Sequence, residues 1–359
     1  MKVIILTAAP ANIAANQRFR FEHYIGLTDT KGCQFELKSF YSAKTWGVLH
    51  KNNFYFQKVI GIFAGFIKRI IVLFSIYKYD FVYVHREASP IGPPIFEWFI
   101  AKVLKKKMIF DFDDSIWIRG ASEANPMVAG IKCTWKVKYI CQYSKTVTVG
   151  NDFLAAYAGK YCSDVRVIPT VVNTHTMHNK LKDQAEKPLT IGWTGTFTNF
   201  SNLEKIIPAI KKLEDNYKFN LLIIANKNPL LPKINYEYKP WNVDTEIEDL
   251  LRMNIGLMPL ANTEIELGKC GFKAIQYMSL GIPAVVSPVG ANKDVVINEE
   301  IGFLVEKDTE WYEKLELLLK NPELRTIMGK KAKAHIVANF SVDSSKKLFF
   351  DLFSSSQTS

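Results

Sequence analysis

Residues 255–288 read IGLMPLANTEIELGKCGFKAIQYMSLGIPAVVSP. The apolar run Ile255–Met258 predicts a buried strand, and Ala284–Ser287 predicts a second one. Between them, a loop of polar and small residues feeds a helix that begins near Phe272. That helix stops at Gly281-Ile282-Pro283, where glycine suits the C-terminal cap and proline cannot continue the helix. A strand, a helix and a returning strand form a βαβ unit, the repeat from which parallel sheets are built.

The same rhythm runs through the whole chain. The first half predicts strands at Val3–Thr7, Phe35–Phe40, Phe81–His85, Met108–Phe112, Thr146–Val149 and Val165–Ile168. Helical stretches separate them, including Pro93–Leu104 and a segment capped by Asn151. Residues 171–188 are polar and unpatterned, which predicts a linker, with His175 and His178 as loop histidines. The alternation then restarts, with strands at Leu189–Trp193, Phe219–Ile224, Ile255–Met258, Ala284–Ser287 and Phe303–Val305. Helices are expected at Asn202–Asp215, Thr245–Met253, Phe272–Leu280, Thr309–Leu319 and Pro322–Asn339. Ser201 with Glu204 has capping-box spacing, and Pro208 should kink the first of these helices. The expectation is an α/β chain of two doubly wound, Rossmann-like domains facing across a cleft. Their bounds are 1–170 and 189–340, with a final helix and tail over 341–359 packing back toward the first domain.

Charge distinguishes the halves. Residues 1–150 hold 21 Lys/Arg against 10 Asp/Glu, and residues 151–359 hold 25 against 25, so the first half carries the whole net charge of +11. Such a field suits an anionic partner, whether nucleic acid, acidic lipid headgroups or a phosphorylated substrate. Five dispersed cysteines without a C-x-x-C pair argue against a disulfide framework or a zinc site and fit a reducing compartment. The segment Phe54–Tyr79 is apolar but broken by Lys58, Lys68, Arg69 and Lys78. It reads either as a packed helix or as one lying at a bilayer surface. The opening run Val3–Ala9 reads as a first strand rather than a secretory signal.

Chemistry gathers at strand ends. The loop before Phe272 offers free backbone N–H groups and a positive helix end, suited to phosphate, and Lys269 and Lys273 add charge there. Lys273, Gln276 and Tyr277 share a helical face. Asp111 and Asp113 lie on one face of their strand, beside His85-Arg86-Glu87 at the end of another. Carboxylates at strand ends facing a cleft make poor core residues, which favours a site there, and the D-x-D spacing alternatively suggests a metal ligand pair. Arg18 and Arg20 are placed to clamp an anion. No G-x-G-x-x-G follows a strand, which argues against a dehydrogenase.

The run Gln276-Tyr277-Met278-Ser279-Leu280-Gly281-Ile282-Pro283 resembles the E-A-M-A-C-G-x-P half of the signature of family four, the retaining glycosyltransferases of GT-B fold. IGWTGTFTNF, NLLIIAN, KPWN and SPVGANKDVV resemble further parts of that family's second domain. In this resemblance the two signature glutamates fall on Gly268 and Gln276, so both carboxylates are absent from their usual places, with Glu264 or Glu266 as replacements. The resemblance implies a nucleotide-diphosphate sugar as donor, bound by Gly195, Thr196, Asn226, Trp241, Glu266, Gly271 and Gln276. Asp113, Lys269 and Lys273 would act on the reacting groups, with no metal and no cofactor. A glycan or lipid-linked acceptor would meet Arg18, Arg20, His85 and Arg86, in surface polysaccharide biosynthesis. The setting implied is cytoplasmic, at the inner face of an anionic membrane, with no nucleic acid partner. The alternatives are a sugar-nucleotide epimerase or hydrolase of the same fold, and a non-catalytic sugar-nucleotide binder.

Overall fold

A computed structural model describes residues 1–354 apart from 50, 52, 119–129 and 233. The chain divides into two compact units, Met1–Pro169 with Ser345–Ser359, and Thr170–Ser344.

Unit one is built on six parallel strands: β1 (Lys2–Thr7), β2 (Gln34–Ser39), β3 (Phe81–His85), β4 (Lys107–Phe112), β5 (Thr146–Val149) and β6 (Val165–Val167), in the order β2-β1-β3-β4-β5-β6. The central strands are buried almost throughout, Lys107 apart, because helices cover both faces, and apolar residues predominate in β3 and β4. Asn151 caps the Asp152–Ala158 helix, its side chain accepting from the Leu154 N–H at 2.9 Å. The helix Val342–Phe350 and the turn Asp351–Phe353 bring the chain back to this unit. Phe349 stacks on Tyr24 with centroids 4.5 Å apart, and Phe353 meets Phe81 edge-on at 5.7 Å. Residues 355–359 of the expected tail lie outside the described residues.

Unit two repeats the plan with β7 (Thr190–Gly195), β8 (Asn220–Ala225), β9 (Glu237–Pro240), β10 (Ile255–Met258), β11 (Ala284–Val286) and β12 (Gly302–Leu304), in the order β12-β11-β10-β7-β8-β9. One core cluster joins Ile191, Trp193, Leu221, Ile223 and Leu257 of the sheet to Leu203, Ile210, Leu315 and Met328 of the covering helices. Strand β9 was not legible, because its EYKP sequence has no apolar run; it is a half-exposed edge.

Three local expectations need correction. Ser201 is not an N-cap: the helix runs Phe200–Glu204 with Asn199 before it, and no side chain caps it. Pro208 does not kink a continuous helix. The chain breaks after Glu204, and proline sits in the first turn of a new helix, Ile207–Glu214, where its missing N–H costs nothing. Residues 171–188 are not a free linker, since they pack onto unit two. Val171, Val172 and His178 are fully buried there, and the Gln184 side-chain amide donates to the Gly281 carbonyl at 3.1 Å. The buried Arg325 guanidinium donates to both the side-chain and main-chain oxygens of Gln184. Of the two histidines, His175 is exposed, paired with Asp343.

Candidate functional site

In an open parallel sheet, a crevice forms where neighbouring strands send their connections to opposite faces. In unit two that point lies between β7 and β10. The loops leaving these strands carry Gly195 and Thr196 on one side, and residues 261–271 on the other. Asn202 ties the two loops together. Its side-chain oxygen accepts from the Ala261 N–H at 3.0 Å, and its amide donates to Glu266 Oε1 at 2.9 Å. Glu266 is buried, and its other carboxylate oxygen, Oε2, has no hydrogen-bond partner among the described residues.

The helix that follows, Phe272–Ser279, begins at Gly271, whose left-handed backbone (φ 68°) turns the chain sharply into it. A Cβ at Gly271 would stand 2.8 Å from a Val295 methyl, so glycine is required there by both conformation and space. Lys273 reaches over the Trp193 ring, 5.8 Å from its centroid, toward the β7 end of the sheet. Lys269 sits in the preceding loop, its carbonyl held by the Ala291 N–H. The two lysines and the helix start are thus neighbours in one loop–helix turn. Tyr277 does not join them. Its hydroxyl accepts from the Thr194 N–H and donates to the Leu257 carbonyl, inside the core.

Gln276 takes an unexpected partner. Its side-chain amide donates to Glu246 Oε1 at 3.0 Å, and the Trp241 indole N–H reaches the same oxygen at 3.3 Å. A buried carboxylate therefore stands beside the position where a carboxylate seemed to be lost. Sequence reading missed Glu246 because it lies 30 residues before Gln276, at the start of the Glu246–Leu251 helix. Asn226, at the end of β8, accepts from the Phe197 N–H at 2.9 Å, and so braces the loop after β7. Thr196 exchanges hydrogen bonds with Thr198 and Asn199 in that loop.

Unit one has its own crossover point, between β1 and β3. Asn16, after β1, donates to His85 Nε2 at 3.0 Å. This fixes the tautomer, so Nδ1–H donates to Asp111 at 2.8 Å. Asp111 also accepts from the Arg20 guanidinium at 2.5 Å and the Thr148 hydroxyl at 2.7 Å. Burial would raise the Asp111 pKa, but the Arg20 charge and the His85 hydrogen bond outweigh it and hold the carboxyl well below its usual range.

Four expectations change here. Arg20 does not face a ligand, because it is buried and spends its donors on Asp111 and the Ile168 carbonyl. His85 is likewise buried, with both ring nitrogens engaged, so it positions and does not bind an acceptor. The D-x-D spacing makes no ligand pair, since Asp111 is consumed inside the sheet while Asp113 pairs with Arg86. Arg18 is also buried, against the Phe19 ring.

What remains accessible is the Arg86–Asp113 pair. Arg86 Nε donates to Asp113 Oδ1 at 2.8 Å, and Arg86 is part-exposed. The backbone of Arg86 is left-handed (φ 61°), a strained state for a non-glycine residue that is concentrated at functional sites.

These two sheets with their strand-end loops are similar to solved structures of known proteins. Sucrose-phosphate synthase from Thermosynechococcus elongatus aligns over 98% of both chains, with a TM-score of 0.68 and 13% identity. Anabaena HepE in complex with UDP-glucose aligns over 98% of both chains, with a TM-score of 0.66 and 11% identity. In sequence, 85 residues are 34% identical to the trehalose synthase of Pyrococcus horikoshii, covering 24% of this chain and only 20% of that protein. Residues 178–335, which include every element of the unit-two site, match the family of group 1 glycosyl transferases. The chain has the GT-B fold, and residues 178–335 of its second unit are similar to the group 1 glycosyl transferases.

Proposed function

We propose that the protein transfers a sugar from a nucleotide-diphosphate donor to a hydroxyl of a glycan or lipid-linked acceptor, with retention of configuration and without a metal. The observation that carries this reading is the Glu266 carboxylate, buried with one oxygen held by Asn202 and the other without a hydrogen-bond partner among the described residues. A buried charged oxygen is costly unless hydrogen-bonded, and sugar hydroxyls are the donors that would complete it. Glu266 lies just before Lys269 and the start of the Phe272–Ser279 helix, where a diphosphate is attracted by the lysine charge and the positive helix end. Sugar and diphosphate are thereby assigned to the two ends of one turn.

In this reading Glu246, with Gln276, supplies hydrogen-bond acceptors for the donor's ribose. Asn226 and Trp241 border the base. Leaving-group charge grows on the diphosphate as the glycosidic bond breaks, and Lys269, Lys273 and the helix end stabilise it there. Asp113, held by Arg86, orients the acceptor hydroxyl. The HepE structure holds UDP-glucose, which supports a nucleotide-diphosphate hexose as the donor class. Surface polysaccharide assembly on the cytoplasmic face of a membrane is the setting we assign to such a transfer.

The test is a transfer assay with full-length protein, a panel of nucleotide sugars and hydroxyl acceptors, the product anomer being read by NMR. Glu266→Gln should lower kcat/KM roughly 10- to 100-fold, the size of a lost charged hydrogen bond. Its melting temperature should stay the same or rise, because the orphaned charge is removed. An unchanged rate would remove Glu266 from the donor site. Isomerised or hydrolysed donor in the absence of any acceptor would replace the transferase reading with an epimerase or hydrolase.

A further inference from the structure

We propose that the Tyr55–Ser75 helix lays unit one flat on an anionic lipid bilayer, as an in-plane anchor. This inference is independent of the reaction assigned above. The segment Tyr55–Lys78 is long and apolar enough to cross a membrane: an 18-residue stretch within it has a mean hydropathy of 2.2, yet only 28% of that stretch is buried in the protein. Two observations decide between crossing and lying flat.

The first is how the helix is fastened. Gly61, Gly65, Arg69 and Val72 form its buried stripe. A Cβ at Gly61 would fall 2.2 Å from Thr45, and one at Gly65 would fall 2.3 Å from the Phe40 ring, so the backbone itself is in contact with the unit. Arg69 is buried and donates to three main-chain carbonyls, those of Thr7 and Ala88 at 2.6 Å and Lys38 at 2.9 Å. Burial draws its pKa down to about 10, so it stays protonated at neutral pH. Pulling the helix out to span a bilayer would strip these carbonyls and carry a guanidinium into hydrocarbon. The helix is a fixed part of the fold.

The second observation is its outer face. Phe56, Val59, Phe63, Ile71, Phe74 and Tyr77 stand exposed, with Phe56 at 78% and Phe74 at 77% of full exposure. The apolar surface continues onto the neighbouring segment through exposed Ile95, Trp98 and Val103. Between the two segments, a cavity of about 380 Å³ is lined by Ile70, Leu73, Phe74, Phe99 and Leu104. Apolar faces of this extent mark interaction sites.

Charge selects the occupant. Residues 41–79 contain six Lys/Arg and no Asp or Glu. On one flank of the helix, Lys2, Lys68 and Lys78, with Lys38 paired to Glu36, line a cavity of about 970 Å³; on the other, Lys102, Lys105 and Lys107 are exposed. A second copy would bring the same positive rim against this one. An anionic headgroup layer matches it, with the aromatic and aliphatic side chains entering the acyl boundary.

Flotation of the full-length protein tests this, with vesicles of phosphatidylcholine alone and of phosphatidylcholine mixed with phosphatidylglycerol. The protein should float with the mixed vesicles and be released as salt rises. Phe63→Asp/Phe74→Asp should weaken binding at least about tenfold, with circular dichroism and melting temperature unchanged because both rings face outward. Lys68→Glu/Lys78→Glu should weaken it about fivefold for each lysine lost, or more. The proposal falls if the protein stays unbound, binds neutral vesicles equally, or tolerates the Phe63→Asp/Phe74→Asp change. It also falls if the protein ignores vesicles and forms a dimer that this change converts to a monomer.

Discussion

Replacing Lys273 by Ala is expected to lower sugar transfer by about 100- to 1,000-fold, the loss that follows removal of one preorganised group from a developing charge. Lys273 stands in the first turn of the Phe272–Ser279 helix, where the backbone already presents a positive end. Charge on a diphosphate is greatest after the glycosidic bond has stretched, so the lysine acts more strongly on the transition state than on the bound donor. The loss should therefore fall mainly on kcat, with a smaller rise in KM. The contact of its ammonium with the Trp193 face accounts for about 0.5–1 kcal/mol of stability, too little to unfold the unit. Melting temperature is the control. Lys273→Arg should recover part of the rate, because charge survives while geometry changes. A Lys273→Ala enzyme with normal kcat would remove the phosphate site from this turn, whatever else the chain does.

Much of the architecture was legible because parallel sheets impose a strong pattern. Strands buried on both faces carry apolar runs, and β1, β3, β4, β7, β8, β10 and β11 have them, polar residues falling mainly at their ends. The elements that escaped lack that constraint. Strand β9 is an edge, and residues 171–188 are mostly polar because hydrogen bonds to Arg325, Leu280 and Gly281 fasten them beyond the buried Val171 and Val172.

The sites show the same division. Local chemistry, such as the glycine turn and paired lysines before the Phe272–Ser279 helix, can be read from adjacent residues. Pairing across the fold cannot. Asp111 looked like a cleft carboxylate because charged side chains make poor core residues, yet Arg20 meets it from 91 positions away. Glu246 went unnoticed for the same reason. Gln276 looked like a lost acid until the fold set a carboxylate beside it. The neutral side chain fits that arrangement. Two carboxylates at hydrogen-bond distance would repel, whereas an amide donates to the acid and leaves its own oxygen as an acceptor.

Asp111→Asn carries the second large expectation, an effect on stability. The aspartate is the shared acceptor for Arg20, His85 and Thr148 at the centre of the first sheet. Removing its charge takes from the buried Arg20 guanidinium the carboxylate it pairs with, and breaking such a pair from one side costs about 3–5 kcal/mol. For a unit of this size that is a fall of roughly 6–20 °C in melting temperature. The acid response has a definite sign. The folded pKa of Asp111 is depressed, so its contribution is complete above the unfolded value, near ~3.9. It is lost as pH falls from there through the folded value, because protonation must break the pair. The wild type should therefore lose stability steeply below about pH 4, and Asp111→Asn should show a shallower slope over that window. Adding Arg20→Met to Asp111→Asn separates two causes. If the cost is the orphaned cation, the double variant regains a large part of it, since an apolar side chain of similar length tolerates burial. If the double variant melts no higher than Asp111→Asn, the aspartate acts chiefly through His85 and Thr148, and the ion pair is not what holds the strand ends in register.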